Sequence, residues 1–296
     1  MIPLRNGALA LLVLTGTTLH AQLALQPYAK IEPPAINESS GLVKSRQFEN
    51  VYWTHNDSGD SARIFAITRD GKPIQTEWAK QNSQPYEGIP IADAVNIDWE
   101  DISTDSHGNL IIAACGNNDN GRRDLALYIV PEPDPRTAWK TRTRQRIDFH
   151  YPDQKEFPHP DRRDFDCESL FSANGTHYLV SKNRSTPETK LYRLDSRAPF
   201  KSNPLTLVSS FNLRGQATAA DASPDGTKLA VLTYTSLWVF EKPTESDDYF
   251  SGKASYKTFF AKQCEAVCWD DAETLIITNE QRDLFEVKLS ELVPDR

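Results

Sequence analysis

Short apolar runs separated by turn residues make up most of the chain after its first thirty residues. Examples are Val51–Thr54, Leu110–Ala114 and Leu229–Leu232, each four or five residues long. Runs of this length that are bounded by Gly, Asn, Asp or Pro are typical of β-strands. Apolar residues at helical spacing are almost absent, apart from the tail Leu284–Leu292, which fits a strand equally well. The pattern therefore predicts an all-β protein.

A short acidic signature recurs ahead of these strands. Its copies are Asn37–Leu42, Trp99–Ile102, Cys167–Leu170 and Cys264–Val267, with a degenerate copy at Thr218–Asp221. Each copy is followed by a turn and then by two further β-rich runs. Fourth strands are predicted at Arg144–Tyr151, Leu205–Phe211 and Ser255–Phe260. The copies lie roughly 45 to 70 residues apart, which is the size of a four-stranded repeat unit.

Four-stranded repeats of this size predict a β-propeller with five blades. The last copy has room for three strands, and the N-terminal stretch Leu23–Ile31 can supply the fourth strand and close the ring. A sixth blade remains possible within Ile74–Ala94 or Thr143–Pro160. The alternative fold is a β-sandwich in which the similarity of the acidic copies is accidental.

Two sets of polar residues are expected to meet at one mouth of the propeller channel. The first strand of each blade lines the channel, and its start lies at the same end as the turn after the second strand. The first set is acidic and alternates along single strands, so that its members share a face. It comprises Glu38, Asp98, Glu100, Asp166, Glu168 and Glu265. The second set follows the second strands, where four of the five corners carry an Asn, among them Asn56, Asn117 and Asn183.

Clustered carboxylates repel one another, so a cation, a proton or hydrogen bonds must offset their charge. Oxygen ligands from carboxylates and amides suit a hard cation, calcium first and magnesium second. The predicted metal ligands are Glu38, Asp98, Glu100, Asn117, Asp166, Glu168, Asn183 and Glu265. The predicted contacts to a small polar ligand are Asn56, Asp57, Lys182, Arg184 and Tyr234. The structural alternative is that the acids bind backbone N–H groups and side chains of the next blade.

The first residues have the pattern of an export signal. Arg5 precedes the apolar run Ala8–Leu14, and small and polar residues follow as far as Ala21. The run is about half the length that spans a bilayer. We therefore expect residues 1–21 to be a signal peptide and residues 22–296 to be a single domain without a transmembrane anchor. The expected location is periplasmic or secreted.

The net charge, the cysteine spacing and the absence of certain motifs argue against several classes of function. The chain of 296 residues has a formal net charge of −8, which argues against nucleic acid as a partner. The four cysteines lack C-x-x-C spacing, so they form two disulfides in one of three connectivities or remain structural thiols. The motifs of serine hydrolases, P-loop proteins and dinucleotide-binding domains are absent from the sequence. Oligomeric state is left open.

Motifs around the expected mouth extend over the whole mature chain. They are Glu38–Leu42, Trp53–Gly59, Asp98–Ile102, Gly116–Asn118 with Arg122-Arg123, and Ala220–Gly226. These segments resemble a group of exported bacterial β-propeller proteins. More distantly, the layout is similar to the calcium-dependent propellers of the regucalcin and gluconolactonase type and of the phytase-like type. In the lactonase type a Glu of the first blade, Asn residues and an Asp hold one metal. The resemblance implies these roles for Glu38, Asn117, Asn183 and Asp221.

Three functional hypotheses follow. The first is an exported β-propeller that binds a divalent cation and a small polar ligand at the channel mouth. The second is a metal-dependent hydrolase of a lactone or phosphoester, with Glu100 or Glu168 as the general base. The third is a protein-interaction platform at the cell envelope, which requires an exposed apolar or aromatic patch. Whether the protein is an enzyme is left open between them.

Overall fold

The apolar runs form strands that pair in chain order as antiparallel meanders. In the computed structural model, which describes residues 23–295, they make five sheets of four or five strands. We number the sheets as blades I to V, in the chain order of their innermost strands. The predicted signal peptide, residues 1–21, lies outside the described residues.

The blades have the following strands, from the innermost outward. Blade I contains Ser39–Lys44, Tyr52–Asn56, Arg63–Ile67 and Ile89–Pro90. Blade II contains Asp101–Thr104, Asn109–Ala114, Ala126–Pro131, Gln145–His150 and the parallel Asn203–Pro204. Blade III contains Asp166–Ala173, Thr176–Lys182, Thr189–Leu194 and Thr206–Phe211. Blade IV contains Ala217–Ala222, Lys228–Thr233, Ser236–Glu241, Ala254–Thr258 and Val293–Pro294. Blade V contains Cys264–Trp269, Thr274–Asn279, Asp283–Lys288 and Ala29–Lys30.

The N-terminal strand closes the ring. Ala29 pairs with Leu284 and Lys30 pairs with Asp283, which completes blade V. The innermost strands of successive blades contact one another, and that of blade V contacts that of blade I. The prediction of a five-bladed propeller closed by its N-terminal strand is confirmed, and the β-sandwich alternative is wrong.

The two segments considered for a sixth blade serve blades I and II instead. Segment 74–94 contains the α-helix Glu77–Gln81 and the short fourth strand of blade I. The Thr76 hydroxyl caps this helix by accepting a hydrogen bond of 3.2 Å from the Ala79 N–H. Segment 143–160 contains the fourth strand of blade II and its connection to blade III. Short 3-10 turns occur at Tyr249–Ser251 and Leu289–Glu291. None of the helices within residues 23–295 has the length and apolar character needed to cross a bilayer.

The hydrophobic core lies in layers between neighbouring blades. Between blades II and III, for example, Ile111 and Leu127 share a cluster with Leu170 and Leu179. Trp99 is fully buried in the layer between blades I and II. Burying a large apolar side chain contributes about 1.5–3 kcal/mol. These layers therefore keep the innermost strands at a fixed spacing around the channel.

A β-bulge recurs near the start of the innermost strands. The strand register shifts at this point in blades I, III, IV and V, and the bulged residues are Gly41, Glu168, Thr218 and Glu265. In blade II, Glu100 directly precedes the strand, and its N–H donates to the Ala113 carbonyl at 3.0 Å. Glu100 thus stands at the corresponding place. A bulge re-aims the side chain that it carries. We call the channel end where the innermost strands begin the near mouth, and the opposite end the far mouth.

Candidate functional site

Two overlapping groups of three carboxylates lie at the near mouth. Asp57, Asp98 and Glu100 each place one oxygen within 4.8 Å of the others. Glu100, Asp166 and Glu168 do the same. Because Glu100 belongs to both groups, the acids of blades I, II and III form one continuous cluster.

Gly116 makes room for two of these carboxylates. A Cβ atom on Gly116 would lie 2.1 Å from Glu100 Oε1 and 2.3 Å from Asp98 Oδ2, which is far inside van der Waals contact. Gly116 is not among the glycines with positive φ. The missing side chain, rather than backbone freedom, is therefore what the cluster requires at this corner of blade II.

Glu100 is the least compensated acid of the cluster. Its residue is 5% exposed, and its backbone carbonyl accepts a hydrogen bond of 2.7 Å from Ser40 Oγ. Its carboxylate receives no hydrogen bond and no ion pair from any side chain or backbone group of residues 23–295. Burial, followed by the charge of Glu168, raises the pKa of Glu100 well above its usual value. The ionised form therefore calls for a cation beside it.

The other two acids of the first group are half-buried. Burial, and then the neighbouring Asp57, raise the pKa of Asp98 to about 6, while Arg122 acts in the opposite direction. Burial also raises the pKa of Asp57. Asp57 Oδ1 accepts a hydrogen bond of 2.5 Å from the Ser58 N–H. Both side chains retain access to solvent.

Basic residues compensate the second group. Lys182 forms an ion pair with Glu168, and its Nζ atom also lies 2.8 Å from the Tyr234 hydroxyl. Burial raises the pKa of Glu168 to about 8, although Lys182 acts in the opposite direction. Burial acts to lower the pKa of Lys182, but the charge and hydrogen bond of Glu168 together with Tyr234 outweigh it and raise that pKa. Arg184 pairs with Asp166 at 2.7 Å and reaches Glu168 at 3.5 Å.

Asp166 has a structural role beyond its ion pair. Its Oδ1 atom accepts hydrogen bonds from the backbone N–H groups of Asn117, at 2.7 Å, and Cys167, at 3.1 Å. Its Oδ2 atom accepts from Arg184 Nε at 2.8 Å. Asp166 therefore joins the corner of blade II to the start of blade III, as the structural alternative expected.

Asp101 is an important carboxylate that the sequence reasoning did not single out. It is fully buried and lies within the channel. Its Oδ1 atom accepts from the Ile102 N–H at 2.8 Å, and its Oδ2 atom accepts from the N–H groups of Leu170, at 2.8 Å, and Ala220, at 3.2 Å. The side chain therefore links blade II to blades III and IV. The available signal was its place directly after Glu100 in the acidic signature.

Glu265 brings blade V into the same mouth. Its Oε1 atom accepts from Gln263 Nε2 at 3.1 Å and from the Tyr234 hydroxyl at 3.4 Å. Burial raises the pKa of Glu265. The adjacent Glu280, absent from the predicted site, has a pKa raised to about 7 by burial and by the charge of Glu265. Glu265 is thus near the cluster but already accepts two hydrogen bonds.

The corner Asn residues form hydrogen bonds with backbone and side-chain groups of the protein. Asn56 Oδ1 accepts from the N–H groups of Asn37 and Glu38, and its Nδ2 donates to the Ala35 carbonyl at 2.8 Å. Asn117 Nδ2 donates to the Phe165 carbonyl, and its Oδ1 accepts from the Arg122 N–H. Asn183 donates to the Thr186 carbonyl and accepts from the Thr189 hydroxyl. These amides hold corners and connections in place, so we do not include them among the proposed cation ligands.

Two further residues are outside the two carboxylate groups. The bulge places Gly41, and not Glu38, in register with Glu168, so Glu38 does not occupy the position of Glu168 in blade I. Glu38 is exposed at the rim of the near mouth. Asp221 lies near the end of its strand, at the far mouth, where its Oδ2 atom accepts from the Trp269 N–H at 3.0 Å. Neither residue takes the place that the lactonase resemblance implies.

The four cysteines are buried free thiols. Cys115 Sγ lies 3.0 Å from the Cys167 carbonyl, across the layer between blades II and III. Cys264 and Cys268 lie in the innermost strand of blade V. The thiols fill the core, in line with the structural role that the sequence left open.

Comparisons with known proteins find distant structural similarity but no sequence match. No protein-family model matches this chain, and no curated protein sequence matches it. A similar solved structure is selenomethionine-substituted virginiamycin B lyase from Staphylococcus aureus, with 14% sequence identity and a TM-score of 0.43. The match covers 85% of this chain and 66% of that chain, just under two thirds of its length. A likeness at this identity concerns the fold alone, and the resemblance to the regucalcin, gluconolactonase and phytase types stays a prediction.

Proposed function

We propose that the near mouth binds a divalent cation, calcium first and magnesium second, together with a small polar ligand. The observation that carries the proposal is the carboxylate of Glu100, which is buried among other acids and is without a protein donor in residues 23–295. A divalent cation would offset this charge without requiring a proton on Glu100.

The favoured ligands for the cation are Asp57, Asp98 and Glu100. Their oxygens lie within 4.8 Å of one another, and none of the three forms an ion pair within the described part of the chain. Three carboxylates offer up to six oxygens, and calcium accepts six to eight oxygen ligands, waters included. Asp166 and Glu168 are less favoured as cation ligands because Arg184 and Lys182 already form ion pairs with them.

The polar ligand is proposed to bind beside the cation, on Lys182, Arg184 and Tyr234. The Lys182 ammonium and the Tyr234 hydroxyl are 2.8 Å apart, and the Arg184 side chain is 28% exposed. Cationic and hydroxyl donors next to a bound cation suit a ligand with carboxylate, phosphate or several hydroxyl groups. Its anionic oxygens would bind both the cation and these donors.

Calorimetry on metal-free protein tests the proposal. The protein is treated with EDTA, dialysed and then melted with and without 1 mM calcium or magnesium. A cation that binds only the folded state raises its stability, by about 2.7 kcal/mol when its concentration is a hundred times Kd. We expect calcium to raise Tm by several degrees and magnesium to raise it less. An unchanged Tm, together with no heat of calcium binding, contradicts the proposal.

Two variants show where the cation binds. Glu100→Gln keeps the shape of the side chain and removes its charge, so the calcium-dependent rise in Tm should disappear. Glu273→Gln removes an exposed carboxylate from the turn after the innermost strand of blade V, at the far mouth, and should keep the full rise. If Glu100→Gln retains the calcium response, the cation binds elsewhere and the assignment is wrong.

Hydrolysis is a second candidate function, favoured by the same unpartnered Glu100. A cation beside Glu100 would keep this carboxylate ionised, and an ionised carboxylate next to a cation can act as the general base that activates water. Glu168 is the alternative base, but its ion pair with Lys182 reduces its freedom to accept a proton. A panel of lactones and phosphoesters, assayed with calcium and with EDTA, tests this function. Turnover that requires calcium supports this function, and no turnover across the panel opposes it.

The interaction-platform hypothesis is favoured by one exposed aromatic pair. Trp78 is 49% exposed and Trp139 is 60% exposed, and their ring centroids are 4.8 Å apart. The pair lies on the connections between the third and fourth strands of blades I and II, at the far-mouth end. If this surface binds an envelope protein, Trp78→Ser with Trp139→Ser should abolish retention in washed envelope fractions.

The proposed periplasmic or secreted location has its own test. Mass spectrometry of the protein from each cell fraction measures where the mature chain begins. If the protein is exported, its first residue should lie near Gln22.

A further inference from the structure

A cavity lies on the outer part of blade II, at the same end as the near mouth. Its volume is about 310 Å³. Its apolar wall consists of Leu125, Phe149, Tyr151 and Phe157. Cavities of this size that combine an apolar wall with a few convergent polar groups are typical of small-molecule sites.

The polar side of this cavity is basic. Arg122, Arg123 and His150 line it, and none of its lining residues is acidic, although the whole chain carries a formal net charge of −8. Arg122 Nε lies 3.1 Å from Asp124 Oδ1, and its Nη1 donates to the Gly116 carbonyl at 2.6 Å. The remaining Arg122 nitrogen, Nη2, is buried and has no hydrogen-bond partner in residues 23–295. One buried guanidinium donor is therefore left for a ligand.

Arg123 adds a second positive charge to this cavity. It forms no ion pair with any carboxylate of the described residues. Its guanidinium lies over the ring of Phe157, 4.1 Å from the ring centroid. Stacking occupies a flat face of the guanidinium and leaves its N–H edge for hydrogen bonds. A guanidinium edge matches the two oxygens of a carboxylate or phosphate.

His150 and Ser202 add further polar groups to the basic side of the cavity. His150 Nδ1 and Ser202 Oγ are 2.7 Å apart, and both residues line the cavity. This contact holds the imidazole and the hydroxyl toward each other. Hydrogen-bonding groups thus lie on the basic side of the cavity, while the aromatic rings of Phe149 and Phe157 provide its apolar side.

We infer that this cavity binds a small organic anion with an aromatic or branched apolar body. Its carboxylate or phosphate meets Arg122 and Arg123, and its apolar body packs against Phe149 and Phe157. The site uses none of the proposed cation ligands. It is therefore a second binding site on the same end of the propeller, and it does not require a bound cation.

Titration calorimetry with matched probes tests this site. Benzoate and phenyl phosphate carry the anion on an aromatic ring, and benzamide is the neutral counterpart of benzoate. We expect at least one anion to bind at least tenfold more tightly than benzamide, in EDTA as well as in calcium. Benzoate against phenyl phosphate decides between carboxylate and phosphate. Equal binding of benzoate, phenyl phosphate and benzamide, or no binding of either anion at millimolar concentration, overturns the inference.

Variants place the anion in the cavity. Arg123→Gln should weaken binding of the anion about tenfold or more, and Phe157→Leu should weaken it several-fold. Arg46→Gln removes an exposed arginine at the far mouth and should leave the affinity unchanged. Because Arg123 is exposed, its substitution should not change Tm. Wild-type affinity in Arg123→Gln overturns the inference. Calcium binding in Arg123→Gln and anion binding in Glu100→Gln are measured in parallel, so failure of one site is distinguished from failure of the other.

Discussion

Asp101 Oδ2 accepts a hydrogen bond of 2.8 Å from the Leu170 N–H, so that a side chain of blade II holds the innermost strand of blade III. The same oxygen lies 3.2 Å from the Ala220 N–H of blade IV. Glu100, the preceding residue, faces the near mouth, and its carboxylate has no such partners among the described residues. Two adjacent acids of one motif therefore differ in role, because the first is available to a ligand and the second closes the ring.

Asp101→Asn should destabilise the ring strongly. Both carboxylate oxygens accept from backbone N–H groups, so either orientation of the Asn amide places its NH2 group against a donor. Loss of these hydrogen bonds and burial of unsatisfied groups should lower the free energy of unfolding by about 2–4 kcal/mol. Urea denaturation measures the change. Asp119→Asn, at a side chain that is 89% exposed, is the control and should change stability by less than about 0.5 kcal/mol. Equal stability of the two variants would show that Asp101 does not hold the ring.

Gly116→Ala should abolish the calcium response. The added Cβ would lie 2.1 Å from Glu100 Oε1 and 2.3 Å from Asp98 Oδ2, so both carboxylates must move apart. The calcium-dependent rise in Tm should therefore be lost, while the metal-free protein is destabilised by about 1–3 kcal/mol through overpacking. Gly121→Ala is the matched control, since its Cβ would meet only Pro158 Cδ, at 4.0 Å. A full calcium response in Gly116→Ala would exclude this pair of carboxylates as the ligands.

The repeated acidic signature predicted the five blades, because each blade repeats the same order of strands and turns although the spacing varies. The fourth strand of blade I escaped prediction, since Ile89–Pro90 has only two residues and follows a short helix. Glu38 was misaligned for a different reason. The bulge at Gly41 changes which residue of the strand faces the channel, and hydrogen-bond register is not visible in the order of residues.

The acidic part of the site was predictable, but the roles of its members were not. Glu100 and Glu168 share the same place in the repeat, yet Lys182 pairs with Glu168 alone. The corner Asn residues also recur with the blades, and they recur for a structural reason. Asn56 and Asn117 each donate to a backbone carbonyl of a connection that enters an innermost strand. A sequence repeat therefore locates polar atoms, while their partners depend on long-range packing.

Stability of the metal-free protein should fall as pH rises from 5 to 8. Burial and neighbouring charge raise the pKa of Asp98 to about 6 and that of Glu280 to about 7, above the value of about 4 for unfolded carboxyls. The folded state thus binds more protons than the unfolded state in this range, so deprotonation costs stability. Calcium should reduce the decline, and Asp98→Asn should remove a part of it on the order of 1 kcal/mol, after screening by solvent. Urea denaturation in EDTA across this pH range measures it, and rising stability would contradict the prediction.

The four thiols should be inert in the folded protein. All four cysteines are buried, and burial raises the pKa of Cys115 and Cys268, and that of Cys264 to about 12. Because the thiolate is the reactive form, a disulfide reagent such as DTNB should react slowly with native protein. After guanidinium denaturation four thiols per chain should react. A titre of two or none after denaturation, without prior reduction, would show that disulfides form.

Lys182→Met should lower the free energy of unfolding more than replacement of both members of the ion pair. Lys182 and Glu168 have side chains that are 5% and 8% exposed, so removal of the ammonium leaves a buried acid without its counter-ion. Breaking such a pair costs about 3–5 kcal/mol, whereas replacing both partners by neutral groups costs much less. The double variant Lys182→Met with Glu168→Gln should therefore recover most of the lost stability, as measured by urea denaturation at pH 8. Recovery should be smaller at pH 5, where protonation of Glu168 already relieves the single variant. If the double variant is as unstable as Lys182→Met at pH 8, the Tyr234 hydroxyl, 2.8 Å from Lys182 Nζ, is the partner whose loss matters.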